Sequence, residues 1–276
     1  MKDLRELIKE RKVLLASHRG VNGGNIPCNS LQSYLIAVNQ DADIIELDIS
    51  VTADKQLFLL HPGMEWVHLG KSIDVSKMQS KDVKELFLHN QDVVETQYPI
   101  ITFDEVLDAL KDKCFINVDK FWGDPETIAK TIRKHGMANQ CIVKSYADKN
   151  TPAMLKQYAY DMQYMAMIRD KDAVLPEFFA DDINFVGFEV LFDNDNNPIV
   201  SDEFIEKMHE KGKILWGNSI CYNYRDVIAS DHVDDVALLG NPDHGWGYFA
   251  KKGFDIIQTD WLTQCDQYLK SKGYRK

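Results

Sequence analysis

Eight short apolar runs alternate with helical stretches along this chain, and that rhythm limits its fold more than any other feature. The runs predict strands at 13–17, 43–49, 114–119, 141–145, 163–168, 184–190, 213–218 and 254–258. Helix signals fill the intervals. Asn29-Ser30-Leu31 opens one helix, with Asn29 or Ser30 as the N-cap whose side chain accepts from a free first-turn amide. Thr102 and Glu105 have capping-box spacing, and Asp124-Pro125 puts a cap before a proline at the first helical position. Gly136, Gly212 and Gly253 follow helical stretches, where the chain turns left-handed. Eight strand–helix units over ~250 residues are the pattern of an α/β protein of the (β/α)8 TIM barrel type. A doubly wound open sheet is the competing arrangement, but no Gly-x-Gly-x-x-Gly follows the first run.

Residues 62–100 break the rhythm. They are polar, carry the charged run Lys77 to Lys84, and read as a small insertion after the second strand that caps the barrel. Residues 1–276 are therefore expected to form a single barrel domain that includes this insertion. A hydrophobic fraction of 45% is enough for a full core. The net charge of −11 disfavours nucleic acid, whose phosphate backbone needs a basic surface. A small phosphorylated ligand held by a local cation is still compatible with it. The first ten residues are charged throughout, and no run nears the ~18–20 apolar residues a membrane span needs. No transmembrane segment and a cytoplasmic location are expected. The five cysteines are odd in number and lack Cys-x-x-Cys spacing, which fits reduced thiols.

Two histidines bracket a pair of acids in the first quarter of the chain. His18 closes Val13-Leu14-Leu15-Ala16-Ser17, Glu46 and Asp48 lie in Ile44-Ile45-Glu46-Leu47-Asp48-Ile49, and His61 closes Gln56-Leu57-Phe58-Leu59-Leu60. Barrels place catalytic groups at the downstream ends of strands. Two imidazoles can move a proton in and out of a reaction. Carboxylates two residues apart on a strand share a face and can share a hard cation; the same pair would also suit a solvated edge strand. Arg19 offers a planar fork of donors for phosphate oxygens, and the glycine-rich loop after it lets backbone approach a ligand. Asp193-Asn194-Asp195-Asn196-Asn197-Pro198 lacks the glycine and the terminal glutamate of a calcium loop and reads as a turn. Asp231-His232 and His244 have the look of a metal cluster, but no strand end lies beneath them and they are expected on a surface loop. His68, His89, His135 and His209 read as structural.

The segments His18-Arg19-Gly20, Asn29-Ser30-Leu31, Ala42-Asp43-Ile44-Ile45-Glu46-Leu47-Asp48-Ile49, Thr52-Ala53-Asp54 and His61 together resemble the glycerophosphodiester phosphodiesterase family. Lys252-Gly253-Phe254-Asp255-Ile256-Ile257-Gln258-Thr259-Asp260 is similar to its last strand, so the resemblance covers nearly the whole chain. It implies a (β/α)8 barrel and metal-dependent hydrolysis of a glycerophosphodiester to sn-glycerol 3-phosphate and an alcohol. It implies His18 and His61 as the acid–base pair; the mechanism expected from them has His18 as base toward the nucleophile and His61 as acid toward the leaving alkoxide. Glu46, Asp48 and Asp119 would hold Mg2+ or Ca2+, which oxygen ligands suit better than they suit zinc. Arg19 and Lys120 would bind phosphate. The family's third-strand motif is Glu-x-Lys, whereas here Lys120 directly follows Asp119. Lys120 therefore faces inward if the strand bulges, and otherwise Phe121 takes the inner place. The family's Pro-Glu-Asn becomes Pro27-Cys28-Asn29, and its His-Asp becomes His61-Pro62, which removes an orienting carboxylate. Glu189, Trp216 and Asn218 are candidates for the substrate pocket, with an outward salt bridge as the alternative for Glu189 and core packing for Trp216; Lys144, Ser145 and Arg169 also stand at strand ends. Two other readings stay open: a lyase that stops at a cyclic phosphate, similar to sphingomyelinase D, and a non-catalytic phosphodiester-binding barrel.

Overall fold

The computed structural model describes residues 2–221 and 223–276. Its strands are β1 (Leu14–His18), β2 (Ile44–Val51), β3 (Leu57–Leu59), β4 (Phe87–His89), β5 (Glu95–Pro99), β6 (Phe115–Asp119), β7 (Cys141–Tyr146), β8 (Gln163–Ile168), β9 (Phe185–Val190), β10 (Ile214–Asn218) and β11 (Ile256–Thr259). Eight of these are parallel and neighbour one another in the order β1-β11-β10-β9-β8-β7-β6-β2, and β1 pairs with β2 to close the ring. The fold is a (β/α)8 barrel. Each of the eight runs in the sequence became one barrel strand, with ends shifted by no more than a few residues.

The predicted caps are in place. Ser30 accepts from the Ser33 amide, Thr102 and Glu105 cap each other, and Asp124 precedes Pro125 and accepts from Thr127. One interval departs from the rhythm: between β8 and β9 the chain makes only the 3-10 turns Lys171–Ala173 and Pro176–Phe179. Pro176 lacks an amide donor and restrains Leu175 to an extended conformation, which discourages a longer helix there.

The lumen is layered. Ala16, Ile44, Phe115, Ile142, Met165 and Ile256 fill its lower part, and Leu4 of the amino-terminal helix Leu4–Arg11 packs against them from below. Above them the inward positions turn polar: Glu46, Asn117, Lys144, Glu189, Asn218 and Gln258 are all buried. A polar layer inside a barrel is costly unless its groups are paired or bind something. It therefore marks the end of the barrel where chemistry can occur.

The insertion leaves the barrel after β3, which runs antiparallel to the extended end of β2. It carries the short helices Glu65–Leu69 and Ser80–Val83 and the β4–β5 hairpin. Leu69, Val75, Val83, Leu86 and Leu88 cluster there with Phe58 and Leu60, apart from the main core. The five cysteines are all unbonded. Among the described residues, no helix is long and apolar enough to cross a membrane.

Candidate active site

Parallel pairing sets the site's register. His18 lies beside Glu46, Glu46 beside Asn117, and Asp48 beside Asp119, so three neighbouring strand ends deliver one histidine and the three acids to one place. β3 then returns antiparallel along β2, and the Leu60 amide donates to the Asp48 carbonyl at 3.1 Å. This hydrogen bond swings His61 over Asp48, with Nε2 4.0 Å from Oδ1. Three residues here have left-handed backbone: Arg19 (φ 56°), Asn29 (φ 53°) and Lys120 (φ 63°). Such conformations cost of order 1–3 kcal/mol in a non-glycine residue and collect where geometry serves a function. Gly20 (φ 76°) could not be replaced, because a Cβ there would lie 2.6 Å from the Ser33 backbone.

Asp48 is the hub. Oδ2 accepts from Asn29 Nδ2 at 2.9 Å and lies 2.8 Å from Arg19 Nε, while Oδ1 is 3.5 Å from Lys120 Nζ. Tyr34 fixes the Asn29 amide by donating to its oxygen at 2.8 Å. Burial works against a charge on Asp48, yet Arg19, Lys120, His61 and the Asn29 amide together hold its carboxyl well below the usual range. Glu46 goes the other way. Burial, and then the Asp48 charge, push its pKa up to about 7. Glu46 Oε2 accepts from the Arg19 amide at 3.1 Å.

Lys120 faces the site, although no bulge turns it. The left-handed backbone that follows β6 brings Nζ to 2.6 Å from Asp119 Oδ2, and Phe121 goes to the core instead. The orienting carboxylate missing at position 62 is replaced by backbone: the His61 Nδ1–H donates to the Pro62 carbonyl at 2.8 Å, leaving Nε2 toward the site. Burial, Lys120 and Arg19 lower the His61 pKa against the pull of Asp48. His18 has a carboxylate partner that the sequence reading overlooked. Asp260, one residue past β11, accepts from Nδ1 at 2.8 Å. Burial disfavours a charge on His18, but Asp260 outweighs it and the pKa is raised. An aspartate one residue beyond the last strand was the available signal.

Glu189 and Asn218 line the same cavity of about 190 Å3 as His18, His61, Asp119 and Lys120. Glu189 faces the lumen, with Oε2 3.0 Å from Lys144 Nζ and Oε1 accepting from Asn218 at 2.9 Å. Trp216 does not reach the cavity. It is fully buried one layer lower, because its register on β10 matches Ile256 rather than Gln258. Its indole lies beneath Lys144 at 6.0 Å and donates to Asn218 at 3.3 Å, so it floors the pocket instead of walling it. Met167, Leu191, Ile220 and Ile228 form an apolar wall on the side away from His18. Cys28, where the family carries glutamate, sits 3.6 Å from His68 Nδ1, and burial raises its thiol to about 12, so it supplies no negative charge.

Comparison with known proteins gives the family. A family model described as the glycerophosphoryl diester phosphodiesterase family matches residues 18–215, more than half of the chain. The chain belongs to this family. A second model, of a domain of unknown function, matches residues 164–269. A glycerophosphodiester phosphodiesterase of Bacillus subtilis is 24% identical over 164 residues, which are 52% of this chain and 56% of that relative. The match thus spans little more than half the relative's length. A glycerophosphoryl diester phosphodiesterase of Parabacteroides distasonis superimposes with a TM-score of 0.78 at 18% identity, covering 99% of this chain and 93% of its own. A phosphodiesterase of Oleispira antarctica, solved in complex with the product sn-glycerol 3-phosphate, superimposes with a TM-score of 0.65 at 14% identity, covering 93% and 96%. At these identities the structural likeness speaks for the barrel alone.

Glu46 also makes stability depend on pH. With a folded pKa of about 7 against an ordinary 4.5, the folded protein keeps a proton that the unfolded chain has already lost. Stability without added cation should therefore fall as pH rises from 4.5 to 7 and level off above that. Glu46→Gln is expected to remove this slope and to raise the thermal midpoint at pH 8. Melts in chelator at pH 5 and pH 8 check it, and a variant that kept the full wild-type slope would assign the effect elsewhere.

Proposed function

We propose that this chain hydrolyses glycerophosphodiesters to sn-glycerol 3-phosphate and an alcohol, using one divalent cation and two histidines. The observation that carries the reading is the convergence of Glu46, Asp48 and Asp119, three buried carboxylates with oxygens within 4.8 Å of one another, between His18 and His61. Asp48 Oδ1 is buried without a hydrogen-bond partner, which fits a ligand atom awaiting a cation. An oxygen-only donor set suits Mg2+ or Ca2+. When bound, such a cation polarises a phosphoryl oxygen and offsets charge developing on it. Binding must also displace the Glu46 proton, so affinity should rise with pH up to about 7.

The protein's own groups do the rest. Arg19 and Lys120, both lining the cavity, hold the phosphodiester and stabilise its added charge. His18 takes a proton from the nucleophile, and Asp260 behind it stabilises the imidazolium that forms. His61, fixed by the Pro62 carbonyl, gives a proton to the leaving alkoxide from Nε2; its lowered pKa makes the protonated ring a stronger donor. Glu189 and Asn218, held by Lys144, present oxygen and amide groups suited to the hydroxyls of the retained glycerol. Trp122 and Tyr146, both partly exposed, stand at the mouth where the alcohol would leave. The nucleophile is water or the substrate's own 2-hydroxyl, which would give a cyclic phosphate first.

The pH profile should be a bell. Activity rises with pH through the lowered His61 pKa and falls through the raised His18 pKa, with limiting slopes of one. A profile flat across the imidazole range would count against histidine catalysis. Phosphorus NMR of the products from glycerophosphocholine tests the reading as a whole. Glycerol 3-phosphate supports it, cyclic phosphate as sole product would make the protein a lyase, and no turnover of any phosphodiester would leave a binding module.

A further inference from the structure

The catalytic cavity adjoins a second space at its mouth. The walls of this groove, about 300 Å3 in volume, include Trp122, Pro125, Tyr146, Asp148, Thr151 and Met154, and Trp122 and Tyr146 line the catalytic cavity as well. Trp122 follows β6 and Tyr146 ends β7. The pairing of these strands sets the two rings side by side, with centroids 5.9 Å apart and planes tilted by 53°. They are 40% and 52% exposed. Large aromatic side chains left open together at the rim of a cavity mark a surface that a ligand covers.

The leaving alcohol is the part of the substrate that reaches them. His61 Nε2 and Lys120 Nζ both stand beside Asp48 Oδ1, at 4.0 and 3.5 Å, and Lys120 Nζ lies 5.3 Å from the centroid of the Trp122 ring. A diester held by Lys120 and protonated by His61 directs its alcohol toward Trp122 and Tyr146. Glu189 and Asn218 take the glycerol on the opposite side of the barrel.

We infer that this groove is the alcohol subsite and selects a quaternary ammonium headgroup over a primary ammonium or a polyol, through Trp122, Tyr146 and Asp148; the inference rests on the diester-hydrolase reading given under Proposed function. Pro125, Met154 and the two rings offer few hydrogen-bond partners. A polyol or a primary ammonium would lose bonds to water there and regain few. A quaternary ammonium has no N–H to satisfy. Its methyl groups pack against apolar walls, and its charge is drawn to the faces of aromatic rings. Asp148 supplies the opposite charge. Its Oδ1 accepts from the Asn150 and Thr151 amides at 2.6 and 3.1 Å, which fixes the carboxylate at the groove. Its Oδ2 makes no hydrogen bond or ion pair among the described residues. Lys120 already sits over Trp122, but the bound phosphodiester offsets that charge, and among the described residues no protein cation covers Tyr146. Arg169, a partly exposed cation at the same mouth, is paired with Asp226 at 2.9 Å.

The test compares three glycerol phosphate esters in Mg2+: those of choline, of ethanolamine and of 3,3-dimethylbutanol, the uncharged isostere of choline. The choline ester should exceed each of the others at least ~10-fold in kcat/KM. Tyr146→Leu keeps an apolar wall but removes the π face, and should cut that preference by ~3–30-fold, whereas Tyr146→Phe should retain it. Asp148→Asn, whose amide oxygen can still accept from the Asn150 and Thr151 amides, should narrow the preference over the uncharged isostere. Calorimetric titration of the choline and ethanolamine esters into the His61→Ala protein reads the same preference from binding alone, so a failure of hydrolysis and a failure of selection are separate results. Equal kcat/KM for the three esters in wild type, equal affinities in His61→Ala, or a preference left unchanged by both Tyr146→Leu and Asp148→Asn would overturn the inference.

Discussion

Replacing His61 with alanine is expected to lower kcat on glycerophosphocholine by at least ~10²-fold, while leaving most of the rate on the p-nitrophenyl ester of glycerol phosphate. A choline alkoxide cannot depart without a proton, whereas p-nitrophenolate can. The substrate pair therefore isolates proton donation from binding. His61 is positioned for that role by the Leu60–Asp48 backbone contact and by the Pro62 carbonyl on Nδ1. His18→Ala should lose activity on both esters, because its proton comes from the nucleophile. Steady-state kinetics on the two substrates decide it. Equal losses for His61→Ala would end its part as acid, and selective rescue of His18→Ala instead would exchange the two roles.

The second large effect is expected at Asp48. Asp48→Asn should cost at least ~10³-fold in turnover, since it removes a cation ligand and unbalances the phosphate-binding side chains together. It should also destabilise the fold. An amide at position 48 leaves Arg19 and Lys120 facing each other without the carboxylate that lies 2.8 Å from one and 3.5 Å from the other. Breaking a buried charge cluster on one side costs ~3–5 kcal/mol, which for a chain of this size lowers the thermal midpoint by roughly 10 °C. Calorimetry beside a rate assay checks both parts. A variant that melts and turns over as wild type does would remove Asp48 from the centre of the site.

The barrel could be read from the sequence because its signals are local. Each strand is a contiguous apolar run, and Ser30, Thr102 and Asp124 mark helix starts within a few residues. His18, Glu46, Asp48 and His61 could be read for the same reason: all stand at the ends of runs within one quarter of the chain. What escaped depends on register and backbone. Trp216 and Asn218 are two residues apart and share a face, yet only Asn218 is high enough in the lumen to meet the cavity. Lys120 turns inward through a left-handed residue, and no side-chain pattern announces that conformation. Asp260 pairs with His18 across 242 positions of sequence. The parallel pairing of β1 with β11 joins them, and spacing cannot express that contact.

The most direct measurement of the central claim is release of glycerol 3-phosphate from glycerophosphocholine, with the protein first stripped by chelator and then returned to Mg2+ or Ca2+. The carboxylate triad and the two histidines predict no release after stripping and restored release on adding the cation back, with Asp48→Asn inactive throughout. Release unchanged by the chelator, or none under either cation, would contradict them.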